Sequence, residues 1–479
     1  MTDITAENSF PDARLARAGQ QTSGFAPWVA EARALGTLSL PLIATQLAHM
    51  AMPTTDLLML GLLGQKALAI AAIANTIYIF VWLIGLGPAS AVAPVVAQIV
   101  GAHPNDRARV RTALRMGLWA VALLTIPLWT ALAFAEPVLV ALGQPEALAA
   151  AAAPYIHVLA LGLPFSLGFT VFRNFSTALG HPRAPLIVVL IAVALNAGLN
   201  YSFIFGAFGM PEFGFMGAAM ATALANAFCF FAMLSLLTFA PSFRLYRIWR
   251  RGFRADWSRL AEILRLGVSI GMTMIFEVAL FAGSTLVMGQ FGTSAVAAHQ
   301  IAMNVPSITF MVPLGIAMAA TVRVGRAKGA GDIDAARRAG ITALLLGTTF
   351  MLVCALVLAL IPGVIASLYL DAAAPENAEA ISLLVSFLYV AAAFQIFDAL
   401  QVIAAFSLRG MKDVRVPMVI AGLSYWGVGF PLTLLLGFTA GLAGFGVWLG
   451  LAASLAMAAL LLTRRFLHLS APQRPLRSH

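Results

Sequence analysis

The chain has 479 residues, of which 61% are hydrophobic and only 10% charged, with a mean hydropathy of +0.92 and a net charge of +10. A soluble fold needs roughly a quarter of its residues charged to keep its surface in water, so a soluble enzyme is excluded. Cys229 and Cys354 both lie in apolar runs, which excludes a disulfide framework and a cysteine-rich zinc site.

Residues 1–34 are polar, carry Arg14, Arg17 and Arg33, and lack an apolar core followed by a small-residue cleavage site. They read as a cytoplasmic tail and not as a signal peptide. Twelve apolar runs follow, at 35–62, 67–101, 113–135, 150–178, 184–208, 214–240, 262–289, 294–324, 340–370, 380–408, 417–437 and 444–463. About 20 apolar residues cross the hydrocarbon as a helix, and only helices or closed barrels satisfy their backbone there. None of the runs shows the alternation of a barrel strand. The fold expected is an all-α polytopic membrane protein with twelve transmembrane helices. The stretch 241–259, with Phe243, Arg244, Tyr246, Arg247, Trp249, Arg250 and Arg251, reads as a basic linker between helices 6 and 7. Residues 466–479 read as a second cytoplasmic tail.

Twelve spans place 28 of the 29 Lys and Arg residues on one side. The other side keeps only Lys66, with Glu136, Glu146, Glu212, Asp371, Glu376 and Glu379. Lys- and Arg-rich loops stay cytoplasmic, so both termini are expected in the cytoplasm. The basic balance then reflects topology, and nucleic acid is not an expected partner.

An offset of 228 aligns the chain with itself without gaps over a long stretch: Gly61 with Gly289, Gly64 with Gly292, Ile73 with Ile301, Gly87 with Gly315, Gly101-Ala102 with Gly329-Ala330, Asp106 with Asp334, and Arg109 with Arg337. At an offset of 230, Leu179-Gly180 meets Arg409-Gly410 and Gly214-Phe215 meets Gly444-Phe445. Shared membrane composition does not explain one register spanning glycines, charges and loops. Six spans per copy is even, so the copies form parallel, pseudo-symmetric six-helix lobes, 35–240 and 260–465, around a central cavity.

A carboxylate deep in lipid is costly and marks a pathway or a partner. Three lie well inside spans: Asp56 in helix 1, Glu277 in helix 7 and Asp398 in helix 10. Thr45 and His49 share a stripe with Asp56; Ser269, Thr273 and Ser284 share one with Glu277; Gln395 and Gln401 flank Asp398. Asn196 and Asn200 on helix 5, and Gln300, Asn304 and Ser307 on helix 8, add neutral oxygens. The register sets His49 opposite Glu277. The neutral polar groups could equally hold helices together by hydrogen bonds, and His157 and His299 read as packing residues. A carboxyl group in a low dielectric can take up a proton near neutral pH, and when ionised it attracts a metal ion or an organic cation. Such groups between two rocking lobes make an exchanger.

The stretch Phe394-Gln395-Ile396-Phe397-Asp398-Ala399-Leu400-Gln401-Val402 through Leu408-Arg409-Gly410-Met411-Lys412-Asp413 resembles the helix-10 signature of the multidrug and toxic compound extrusion (MATE) family, NorM-like branch. Ala298-His299-Gln300-Ile301-Ala302-Met303-Asn304, Val322-Arg323-Val324-Gly325 and Pro94-Val95-Val96-Ala97-Gln98 resemble it too. The likeness covers residues 35–465. It implies efflux of lipophilic, usually cationic compounds coupled to Na⁺ or H⁺, from a bacterial inner membrane. It also implies a C-lobe cation site of Glu277 and Asp398, which would hold Na⁺ if sodium is the coupling ion, and an N-lobe site of Asp56, Asn196 and Asn200. Gln300, Asn304, Gln395, Gln401, His49 and Thr273 would line the cavity. No cofactor is expected beyond the coupling ion. The expected partners are small organic cations and drugs and the bilayer, with the chain acting as a monomer. Phe310 and Phe394 stand where NorM-like relatives often have a tyrosine, which leaves proton coupling open beside sodium. A lipid-linked precursor flippase of related architecture is the alternative, but it calls for a basic cavity. An intramembrane enzyme would need a metal or substrate-positioning motif, and none is present.

Overall fold

The computed structural model describes residues 25–248, 254–371 and 374–472. The N-terminal tail through 24, the linker residues Trp249, Arg250 and Arg251, and the tail from 473 lie outside the described residues. Among the described residues, twelve helices are long and apolar enough to span a membrane. They are α1 (Ala26–Leu62), α2 (Gln65–Ala102), α3 (Arg107–Ala133), α4 (Glu146–Ala178), α5 (Arg183–Phe205), α6 (Phe215–Phe239), α7 (Trp257–Phe291), α8 (Thr293–Gly329), α9 (Ile333–Leu360), α10 (Pro375–Gly410), α11 (Arg415–Thr439) and α12 (Ala443–Leu469).

Each matches one apolar run, with two informative differences. The run 340–370 is two helices: α9 stops at Leu360 and a separate helix covers Pro362–Tyr369. Proline lacks an amide hydrogen and crowds the residue before it, and Ile361 accordingly leaves helical geometry at φ −130° and ψ 43°. In the first lobe α3 ends at Ala133, and a short separate helix, Ala135–Ala141, follows where the run 113–135 ends. In addition, α1 begins nine residues before the apolar run does, at Ala26. Its polar first turns are held by Glu31, which accepts two hydrogen bonds from Arg323 of α8, at 2.8 and 2.6 Å.

The repeat is visible in the packing. Within the first lobe α1 packs on α5, α2 on α3 and α4, α3 on α4, α4 on α6, and α5 on α6. Adding six to every number gives the packing of the second lobe. Gly64 and Gly292, which start α2 and α8, share one left-handed backbone (φ 103° and 97°). Elsewhere the register shifts. The side-chain cap of α3 is Asp106 and that of α9 is Asp332, so Asp106 does not correspond to Asp334 as the ungapped alignment has it. The loop before α9 is one residue shorter than its counterpart. The last turns of α4 and α10 end at Ala178 and Gly410, and α6 and α12 begin at Phe215 and Ala443. The offsets there are 232 and 228, in place of the 230 read from the sequence.

Two hydrophobic cores fill the lobes, and the ends of α1 and α7 are exchanged between them. Leu35 and Leu42 of α1 belong to the core of the second lobe, whereas Met52 and Leu60 belong to the first. Their counterparts do the reverse: Ile263 and Ile270 of α7 pack into the first lobe, Leu280 and Met288 into the second. Each of these helices therefore crosses from one lobe to the other near its middle. The crossing segments, 43–51 and 271–279, contain His49 and Glu277.

Candidate functional site: two acidic clusters and a closed basic side

In the first lobe Asp56, 9% exposed, points from α1 toward α5 and α6. Its Oδ1 accepts from Asn200 Nδ2 at 2.5 Å, and its Oδ2 accepts from the Thr222 hydroxyl at 2.7 Å. Asn196 and Asn200 are fully buried one helical turn apart, so they share a face of α5. Asn200 Nδ2 also donates to Asn196 Oδ1 at 3.2 Å. Asn200 Oδ1 has no hydrogen-bond partner, and the Asn196 amide is a further hydrogen-bonding neighbour of the Asp56 carboxylate. The cluster thus holds a carboxylate, two amides and a hydroxyl in a dry place. Burial without a full set of partners is expensive, and these hard oxygens suit a proton, an alkali ion or an ammonium group.

In the second lobe Glu277 of α7 and Asp398 of α10 are electrostatic neighbours. Asp398 is 6% exposed and its Oδ1 is unpartnered. Tyr425, fully buried, brings its phenol within electrostatic reach of both acids and hydrogen-bonds Gln401 Nε2. It stands in a π-helical stretch, Leu423–Gly429; such widened turns recur at functional sites. Gln401 Oε1 has no partner. Arg409 is the nearest cation to Glu277, yet its guanidinium lies 3.9 Å from the Phe406 ring centroid, and neither Glu277, Asp398 nor Asp56 forms an ion pair within 4.0 Å among the described residues.

The remaining predicted positions divide. Gln395 accepts from Thr309 at 3.1 Å beside the break in α8, and Gln395 Nε2 is unpartnered. Thr273 is buried and donates to its own helix at Ser269 O. His49 lies beside Phe169, with Arg173 close by, and Arg173 donates to Gln46 at 3.3 Å. Gln300 and Asn304 are not drawn into either acidic cluster. Both are exposed on α8, and Asn304 Oδ1 accepts from Tyr369. His299 bonds Thr285 and packs on Trp448. The position equivalent to Asp56 in the second lobe is Ser284, seven residues along α7 from Glu277. At 1.5 Å per residue the acids of α1 and α7 lie about 10 Å apart in depth.

Phe394 is sealed between Phe281 and Trp448. The phenol oxygen that neither Phe310 nor Phe394 can offer is present from another helix, as Tyr425. Two further members, Thr222 and Arg409, were likewise not singled out, because each is an ordinary residue of its own helix and gains meaning only across a helix interface. Tyr425→Phe removes one hydrogen bond worth about 1 kcal/mol. The expected result is a purified protein less stable by about that amount, read as a lower melting temperature.

The lobes meet near their basic ends. A Cβ on Gly87 would overlap Gly267 and Gly271, and one on Gly315 would overlap Ile43, the counterpart of Gly271. A Cβ on Gly101 would overlap the Arg326 carbonyl, and one on Gly329 the carbonyl of Gln98, the counterpart of Arg326. The same two residues latch the lobes reciprocally. Gln98 Nε2 of α2 donates to Gly410 O at the end of α10, at 2.8 Å. Arg326 of α8 donates to Ala178 O at the end of α4, at 2.8 and 3.2 Å.

Two parallel six-helix lobes, exchanged at α1 and α7, closed at one end and carrying unpaired acids inside, define a polytopic transporter. The MatE family model matches residues 41–202 and 269–435, and the chain belongs to this family, whose members are transporters and not enzymes. It is 43% identical over 439 residues to a probable multidrug resistance protein NorM of Mesorhizobium japonicum, covering 91% of this chain and 94% of that protein. Among solved structures, a MATE transporter in a bent conformation superposes with a TM-score of 0.83 at 18% identity, over 94% of this chain and 98% of that one. A transporter of the MOP superfamily from Pyrococcus furiosus, described as having a binding pocket of reverse polarity, superposes with a TM-score of 0.81 at 18% identity over 92% and 96%.

Proposed function

We propose that the protein is a secondary-active multidrug antiporter of the bacterial inner membrane, exporting lipophilic cations from the cytoplasm in exchange for Na⁺ or H⁺. It works as a monomer with both termini cytoplasmic. The observation that carries this reading is the set of three intramembrane acids in two lobes, Asp56 and Asp398 buried and Glu277 half-buried, none of them in an ion pair within 4.0 Å among the described residues. Each acid can accept a proton, a sodium ion or an organic cation, so occupancy by one disfavours another. The flippase alternative calls for a predominantly basic cavity, whereas three acids stand here against two neighbouring cations, Arg173 and Arg409. The NorM relatives' name as multidrug resistance proteins supports the cargo class.

The packing supports an alternating-access cycle. With the basic side facing the cytoplasm, the state described here is closed inward by the Gln98 and Arg326 latches and the glycine contacts. Glu277 sits where α7 passes from one lobe to the other, so a change in its charge acts on the segment that must bend. Inward movement of one positive charge gains about 2.3 kcal/mol per 100 mV, which drives cargo outward. Expression in a strain lacking its own pumps should lower accumulation of an ethidium-like dye severalfold, and dissipating the ion gradients should abolish the difference. Accumulation equal to that of the empty vector would overturn the proposal.

A further inference from the structure

A cavity of about 900 Å³ opens on the basic side of the first lobe, lined by Asn105, Asp106, Arg107, Arg111, Arg244 and Arg247, with Pro241 and Leu245 on one wall. Four guanidinium groups face one carboxylate, and that carboxylate is already engaged. Asp106 Oδ1 caps α3 at the Arg109 amide and Oδ2 pairs with Arg109 Nε, both at 3.0 Å. The cavity's positive charge is therefore not cancelled from within, and the amino end of the 27-residue α3 adds its dipole.

The repeat separates what is structural here from what is extra. Arg111 is 7% exposed and donates to Tyr246 O; its counterpart by the α3/α9 register, Arg337, donates to Leu467 O. That arginine serves both lobes by tying a helix to the chain leaving the lobe. Arg107 has no such role: Ile333 stands in its place in the second lobe. Arg244 and Arg247 belong to the linker, which the second lobe lacks. All three are exposed. Beside them Leu245 is 58% exposed, an apolar surface that a free inorganic anion has no use for.

We propose that this cavity binds the phosphate headgroup of an anionic phospholipid in the leaflet it faces, with Arg107, Arg244 and Arg247 on the phosphate and Leu245 against the glycerol and upper acyl chain. Basic pockets at the cytoplasmic ends of membrane helices meet the anionic leaflet, at about 1 kcal/mol per Lys or Arg. A lipid bound there would clamp the linker between the lobes to the end of α3.

The test is native mass spectrometry of the full-length protein in detergent, titrated with dioleoyl-phosphatidylglycerol or dioleoyl-phosphatidylcholine. The wild type should retain the anionic lipid in preference to the zwitterionic one. The triple variant R107Q/R244Q/R247Q should lose that preference, by about a hundredfold. A control variant in the basic loop of the other lobe, K328Q/R338Q, should keep it. If the triple variant does not fold, the single variants R244Q and R247Q should each lose about fivefold. Equal retention of the two lipids, unchanged retention by the arginine variants, or equal loss in the control would overturn the proposal. Millimolar inorganic phosphate displacing the anionic lipid stoichiometrically would show a free-anion site and overturn it as well.

Discussion

Glu277→Gln and Asp398→Asn are each expected to reduce dye efflux to the level of cells without the protein. Both substitutions keep the shape and the hydrogen-bonding capacity of the side chain, so the helices should still pack. What they remove is the negative charge that the proposed exchange requires. A carboxamide cannot release a proton, and it offers a metal ion one neutral oxygen. The two acids are neighbours in one cluster, so their effects should not add: the double variant should be no worse than either single one. Normal efflux from both single variants would refute the assignment of the cluster. Asp56, about 10 Å further along in depth and bonded to Asn200 and Thr222, is a separate site, and its substitution should combine independently with theirs.

Gly101→Val and Gly329→Val are expected to abolish transport by a different route. At each position the atom in the way is a backbone carbonyl, that of Arg326 or Gln98, which cannot turn aside as a flexible side chain would. Each lobe keeps its own core, so the protein should still insert and fold, but the basic side cannot close. An Ala97→Cys substitution, at a position fully buried in this state, with Cys229 and Cys354 replaced, reports the closure. The introduced thiol should resist an impermeant maleimide in inside-out vesicles of the parent and react in the glycine variants. Removing the latches instead, with Gln98→Leu and Arg326→Leu, deletes hydrogen bonds worth about 3 kcal/mol together. That should shift the conformational population by about a hundredfold without blocking the cycle. Protection of the introduced thiol together with normal efflux in the glycine variants would contradict the closed-side reading.

The twelve spans were legible because hydropathy alone decides them. Their ends were legible only where local chemistry marks them: Pro362 explains why the run 340–370 is two helices, whereas Pro27 alone marks the start of α1 locally, and its first turns are held by Arg323 from another helix. The repeat was visible as glycines at fixed spacing. Its shift from 228 to 232 was not, because an ungapped comparison cannot see loops that differ by a residue or two. Asp56, Asn196 and Asn200 are rare polar residues in apolar surroundings and stood out; the structure brings them together. Thr222 and Tyr425 did not, since a threonine or a tyrosine in a span is commonplace until its neighbours are known. The exchange of α1 and α7 between cores was invisible for the same reason: Leu35 and Leu60 look alike in sequence and belong to different lobes.

The claim at the centre is that one set of buried carboxylates holds the driving ion and the cargo in turn. Transport of a cationic dye into liposomes containing the purified protein tests it, at clamped membrane potential, with a sodium gradient or a pH gradient imposed separately. At least one gradient should drive uptake against the dye's own gradient, and Glu277→Gln should remove that drive while leaving the protein in the liposomes. Dye movement indifferent to both gradients, or equally driven in the Glu277→Gln protein, would contradict it.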